Sequence, residues 1–150
     1  MTCVAPLLLV GAAAGGWALT GAESSDRVER QEENNTVKVQ YLEIVTPKVD
    51  ETCAALAAAH GVEFSEPVAE LGNARTADLA DGGRLGVRAP MHGTDGPVVR
   101  PYVLVDDIEA AVEAAKAAGA EMALPPTEIP GQGTFSIYFL GGIEHGLWQL

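Results

Sequence analysis

The sequence predicts an α+β fold built from two matched βαβββ modules, and two observations carry the prediction. The first is repetition. Val39-Gln40-Tyr41-Leu42-Glu43-Ile44-Val45 followed by an alanine-rich stretch from Val49 to His60-Gly61 is answered by Val99-Arg100-Pro101-Tyr102-Val103-Leu104-Val105 followed by Ile108 to Ala118-Gly119. The helix-ending glycines Gly61 and Gly119 stand 58 positions apart, and a repeat at fixed period sets the architecture before any local reading. The second observation is that each half continues in short alternating segments separated by turn residues, so the order strand, helix, three strands occurs twice.

The elements follow in chain order. Residues 1–22 form an apolar segment: Cys3 to Leu19 is apolar apart from its glycines, Leu7-Leu8-Leu9-Val10 is its centre, and Thr20-Gly21-Ala22 offers small residues of the kind a signal peptidase cuts after. Export or membrane anchoring through this segment is favoured over a cytoplasmic location, although no Lys or Arg precedes the apolar run. Residues 23–36 hold one large apolar side chain, Val28, and are too polar to repay the entropy of ordering; they are expected to be a disordered tether. Residues 37–150 are the folded domain, with modules at about 37–90 and 98–150.

Val37 to Val45 alternates, with Leu42 and Ile44 on one face and Tyr41 and Glu43 on the other, as a strand covered by helices on one side requires. Pro47 and Asp50 mark a helix start, Cys53, Leu56 and Ala57 form its apolar stripe, and Gly61 stops it. Val62 to Ser65, Ala74 to Leu79 and Arg84 to Ala89 are predicted strands, the last two joined by a turn at Asp81-Gly82-Gly83. In the second module Val99 to Val105 is a strand, Asp106-Asp107 starts a helix with Ile108, Val112 and Ala115 on one side, and Glu121 to Leu124, Phe135 to Leu140 and Gly146 to Leu150 are strands. Gly131-Gln132-Gly133 reads as a turn, because no helix follows it to make a phosphate cradle.

Composition bounds the function. The chain is 47% hydrophobic and 20% charged with formal net charge −12. Residues 37–150 carry seven Lys or Arg against sixteen Asp or Glu, a balance of −9. Such a surface repels phosphate backbones, so nucleic acid is excluded as a partner. Cys53 falls on the apolar side of the first helix and reads as a buried free thiol, with no disulfide framework implied.

The paired module order, the segment Pro101-Tyr102-Val103-Leu104-Val105-Asp106-Asp107-Ile108-Glu109-Ala110-Ala111, and the run Pro125-Pro126-Thr127-Glu128-Ile129-Pro130-Gly131-Gln132-Gly133 with the tail Gly146-Leu147-Trp148-Gln149 resemble the vicinal oxygen chelate superfamily. This group includes glyoxalase I, bleomycin-resistance proteins and extradiol dioxygenases. The resemblance covers about residues 38–150 and implies that the modules form a curled mixed sheet, a cup. It also implies a homodimer, to which the edge strands of two half sheets are suited. In its metal-dependent members the cup holds one divalent ion on His, Glu or Gln from four strands. The matching positions here fall at or near Tyr41, Gly86, Arg100 and Gly146. Glycine offers no ligand and arginine is a cation, so no cofactor is predicted from these residues, while a divalent metal is what the resemblance itself implies. The final turn also departs from the group's pattern: Leu140-Gly141-Gly142-Ile143-Glu144-His145-Gly146 brings a histidine to the rim.

Period-two alternation from Tyr41 points Tyr41, Glu43, Arg88, Arg100, Tyr102 and Trp148 into the cup. The guanidiniums of Arg88 and Arg100 are candidates to clamp a carboxylate or enolate, the aromatic rings and His145 to contact a ligand, and Glu43 to act as a base. Each has a structural alternative: Glu43 and Arg100 lie on equivalent strands and pair as buried charges as readily as they catalyse. A metal set of Glu43, His92 and His145, with Glu144, requires two loops to converge. Two functions stay open. One is an enzyme of lyase, isomerase or dioxygenase type acting on a small oxygenated, anionic metabolite; the other is a non-catalytic, sequestering module of the bleomycin-resistance type.

Overall fold

In the computed structural model the described residues are 36–150. The apolar segment 1–22, and the tether but for Thr36, lie outside them. Val37–Leu150 forms one compact unit. Its elements are β1 (Val39–Val45), α1 (Val49–His60), a single 3-10 turn (Ala69–Leu71), β2 (Arg75–Asp78), β3 (Arg84–Arg88), β4 (Val98–Leu104), α2 (Ile108–Ala117), β5 (Glu121–Ile129), β6 (Gly133–Leu140) and β7 (Ile143–Gln149). Among the described residues no helix is long and apolar enough to cross a membrane.

The seven strands form one mixed, curled sheet in the order β2-β3-β1-β4-β7-β6-β5. The modules meet at the β1–β4 seam, which is antiparallel and pairs Tyr41 with Tyr102 and Glu43 with Arg100. On either side of the seam the arrangement repeats: β1 runs parallel to β3, and β4 runs parallel to β7. That symmetry is the physical content of the sequence repeat.

Both helices end and begin where the sequence puts punctuation. Gly61 takes a left-handed conformation (φ 67°) and its N–H donates to the Ala57 carbonyl at 2.8 Å, closing α1. The Asp107 side chain accepts from the Ala110 N–H at 3.0 Å and caps α2. Ile108 and Val112 of α2 bury against Leu147, with Met122 and Tyr138 packed beside them. Leu147 and its odd-numbered neighbours on β7 therefore face the helices, and the even-numbered ones face the cup.

Two expectations require correction. Val62–Ser65 does not form a strand; its link to the sheet is Ser65, whose N–H donates to the Thr76 carbonyl at 2.8 Å, whose hydroxyl accepts from the Thr76 N–H at 3.0 Å and contacts Thr76 Oγ1 at 3.1 Å, and whose carbonyl accepts from Arg75 Nε at 3.1 Å. Its residues alternate half-buried and exposed with nothing to hold a full ladder, so the first module has three regular strands and the second four. In contrast, β5 runs on to Ile129 through Pro125-Pro126. Prolines are tolerated because β5 is the outermost strand on its side, and the β5–β6 register shifts on both sides of Leu124. Two missing N–H groups and these irregularities blunt that edge against pairing with another sheet.

Candidate functional site

The concave face of the sheet encloses a cavity of about 860 Å³. Tyr41, Glu43, Arg88, Arg100, Tyr102 and Trp148 all line it, as the alternation from Tyr41 requires, and each is at least nine-tenths buried. Leu71, Leu124, Ile129, Phe135 and Ile137 complete an apolar wall. These residues escape sequence reading because they come from the 3-10 turn and from β5 and β6, whose phase relative to the cup is fixed only by pairing.

The aromatic rings form a continuous cluster. The Trp148 ring lies 5.4 Å from that of Tyr41 and 5.6 Å from that of Tyr102, the latter pair edge to face, and Phe135 stands 6.2 Å away. The turn at Gly131-Gln132-Gly133 anchors the indole, whose Nε1–H donates to the Gln132 carbonyl at 3.1 Å. Tyr41 has a buried hydroxyl with no hydrogen-bond partner among the described residues. Burial, and then the Glu43 carboxylate, push the Tyr41 phenol well above its ordinary value, and the same two causes act in the same order on Tyr102.

The floor of the cup is a chain of alternating charges. Arg88 Nε donates to Glu43 Oε1 at 2.6 Å, and Arg88 Nη1 donates to Asp95 Oδ2 at 2.5 Å. Arg100 Nη1 donates to Glu43 Oε2, while its Nε and Nη2 both donate to Glu144 Oε2, the former at 2.8 Å. The Tyr102 hydroxyl donates to Glu43 Oε2 at 3.2 Å and accepts from Arg100 Nη1 at 3.3 Å. Asp95 also accepts from the Met91 N–H at 3.0 Å, which ties the loop after β3 to the floor. Burial acts to raise the Asp95 carboxyl, but the hydrogen bonds from Arg88 and Met91 outweigh it and hold the group below the usual carboxylate range.

Three expectations change on this geometry. Arg88 and Arg100 are not open clamps, because both are engaged by carboxylates of the protein itself. Glu43, expected as a base, is engaged at both oxygens, Oε1 by Arg88 and Oε2 by Arg100 and the Tyr102 hydroxyl. His145 does not contact the cup: it stacks on Tyr138 with ring centroids 5.3 Å apart, on the helix-facing side of β7, one residue out of phase with Glu144 and Gly146. The set Glu43, His92 and His145 therefore spans two faces of the sheet. His92 lies at the mouth, exposed, with Nδ1 3.0 Å from Thr94 Oγ1.

The inward positions do not fit a divalent metal either. The Tyr41 ring covers Gly86 and the Tyr102 ring covers Gly146, so closely that a Cβ on either glycine would overlap the phenol. Arg100 is a cation bound to two carboxylates. Among the described residues no three His, Cys, Asp or Glu side chains converge on a point. Asp95, the residue that sequence reasoning missed at this site, sits in the Gly- and Pro-rich loop 90–97. The signal for it was indirect: a buried arginine at a strand end has five N–H groups that need acceptors, more than one carboxylate supplies.

No family model and no curated protein matches the sequence. Solved structures do. A hypothetical protein of Bacillus halodurans superposes with TM-score 0.62 at 11% identity, over 77% of this chain and 95% of its own. A NAD-dependent benzaldehyde dehydrogenase from Legionella pneumophila gives 0.56 at 11%, over 73% and 97%. Methylmalonyl-CoA epimerase from Streptomyces coelicolor, in complex with 2-nitronate-propionyl-CoA, gives 0.54 at 16%, over 75% and 96%. Identities this low carry the backbone and not the chemistry, and the named activities differ among themselves. What the seven-stranded cup with its two-module symmetry shares with these structures is its architecture: the chain has the vicinal oxygen chelate fold.

Proposed function

We propose that this protein is a small-molecule binding module that encloses a largely planar, apolar, oxygen-bearing metabolite in its cup and holds it without chemical change. The observation that carries the proposal is the pairing of Glu43: both oxygens accept from guanidiniums, Arg88 on one side and Arg100 on the other, beneath an aromatic and aliphatic wall. A carboxylate held in this way fixes the shape of the floor, three of its lone-pair sites being taken by Arg88, Arg100 and Tyr102. A cavity of about 860 Å³ with an aromatic and aliphatic wall over a charged floor is of the size that takes a compact organic ligand. In this reading Trp148, Tyr102 and Tyr41 supply stacking surface, and Arg88 and Arg100 shape the floor.

The competing reading is an enzyme of the same fold with Glu43 as base; its support is that this carboxylate lies within the cavity lining. Compounds released from protein purified without chelator, identified by mass and then returned to fresh protein, separate the two. Recovery of the compound unaltered supports binding, and conversion to a product, lost in Glu43→Gln, overturns it. Export or anchoring through residues 1–22, and pairing into a homodimer, are part of the proposal and are checked by cell fractionation and sedimentation of the full chain.

A further inference from the structure

We propose, resting on the binding reading above, that the cup selects a cationic ligand, an organic ammonium compound with a flat apolar body, and discriminates against anions. The argument is a balance of unspent hydrogen-bonding atoms. Four carboxylates line the cavity, Glu43, Glu70, Asp95 and Glu144, against two guanidiniums. All three nitrogens of the Arg100 guanidinium donate to Glu43, Glu144 or Tyr102, and two of the three in Arg88 donate to Glu43, Asp95 and the Ala89 carbonyl.

On the acidic side the floor is not used up. Glu144 accepts through Oε2 alone and Asp95 through Oδ2 alone, so that Glu144 Oε1 and Asp95 Oδ1 have no partner among the described residues. The Glu144 side chain keeps 29% of its surface exposed, and Glu70 is exposed at the mouth. An anion entering the cup finds unspent N–H groups on Arg88 Nη2 and one on Arg100 Nη2, each on a guanidinium already paired with two carboxylates, inside a domain of net charge −9. A cation finds an unspent carboxylate oxygen on Glu144 or on Asp95. The rings of Trp148, Tyr102 and Phe135 line the same cavity, and aromatic rings attract a cation through the quadrupole and stack on an apolar body.

The test uses three probes with one body: naphthylmethylamine, naphthylmethanol and naphthylacetate, titrated calorimetrically into the full chain at neutral pH. The ammonium is expected to bind roughly tenfold more tightly than the carboxylate, with the alcohol between them. Glu144→Gln and Glu70→Gln, both at exposed or half-exposed positions, are expected to shrink that ratio by about threefold each, and added salt to shrink it in the unaltered protein. Equal or tighter binding of the carboxylate overturns the charge selection and leaves the cup as a binding site. Failure of all three probes, the neutral alcohol included, overturns the binding reading itself and this inference with it.

Discussion

Tyr41 and Tyr102 hold equivalent places in the two modules, and each lays its ring on a glycine of the neighbouring strand, Tyr41 on Gly86 of β3 and Tyr102 on Gly146 of β7. The pair is the clearest trace of the duplication in three dimensions. It also bears on the chemistry of the cup: of the four positions that the resemblance matches to metal ligands, Tyr41 is a phenol, Gly86 and Gly146 are bare backbone under a tyrosine ring, and the fourth is the cation Arg100. The two tyrosine ring centroids lie 5.8 Å apart, and Trp148 packs against both rings.

Adding a methyl group at either glycine tests that packing. Gly86→Ala and Gly146→Ala each push a carbon into a tyrosine ring backed by buried neighbours, and each is expected to lower unfolding free energy by about 1–3 kcal/mol. Urea denaturation measures it. Gly86→Ala combined with Tyr41→Leu, which frees the space, recovers part of the loss; additive losses in the double variant would place the ring elsewhere.

Glu43 lies between two buried guanidiniums, and removing its charge leaves both without a shared partner. Arg88 keeps Asp95 and Arg100 keeps Glu144, so Glu43→Leu is expected to cost ~1–3 kcal/mol, for the buried guanidinium and Tyr102 donors that lose their acceptor. Glu70→Gln, at an exposed position outside the chain of ion pairs, is expected to change stability by less than about 0.5 kcal/mol. Thermal melts of the two variants check the contrast. A small loss in Glu43→Leu would mean that water reaches Arg88 and Arg100 freely and that the floor is not closed.

All three tyrosines of the chain have phenols raised above the ordinary value, Tyr41 and Tyr102 by burial and then by Glu43, Tyr138 by burial. An acid whose folded pKa is raised favours folding below its unfolded value, about pH 10, and loses that contribution as the pH climbs toward the folded one. Ultraviolet titration is therefore expected to show almost no phenolate from Tyr41 and Tyr102 near pH 10 in the native protein. Absorbance then rises together with loss of circular dichroism as the chain unfolds in alkali. Tyrosine ionising at the ordinary pH with the fold intact would contradict the burial of these rings.

How much of this was legible in the sequence differs from element to element. Tyr41, Glu43, Arg100, Tyr102 and Trp148 were readable because a strand's alternation is rigid once one position is fixed, and the duplication fixed two. The same alternation counted back from Trp148 puts His145 on the helix side; the attraction of a rim histidine obscured a signal that was present. Val62–Ser65 misled because its composition suits a strand while its neighbours supply only isolated backbone bonds. Asp95 and the second partner of Arg100, Glu144, lie 7 and 44 positions from the arginines they hold, separations that no local pattern encodes.

Asp95 gives the sharpest pH dependence. Its carboxyl is held below the usual range by Arg88 and the Met91 N–H, against the opposing effect of burial. For a carboxylate depressed in the folded state, the stabilisation is complete above the unfolded value, about pH 4, and is lost as the pH falls through the folded one. Acid should therefore loosen the loop 90–97 from the floor before the sheet gives way, because Asp95 is the side chain that joins them. Asp95→Asn is expected to be less stable than the unaltered chain at neutral pH, by about 1–3 kcal/mol for the lost charge on a buried arginine, and to flatten the acid limb of the stability curve. Denaturant midpoints measured between pH 3 and pH 7 for both proteins check it. The difference between the two curves should narrow as the pH falls below about 4; parallel curves would show that Asp95 is not the group whose protonation releases the loop.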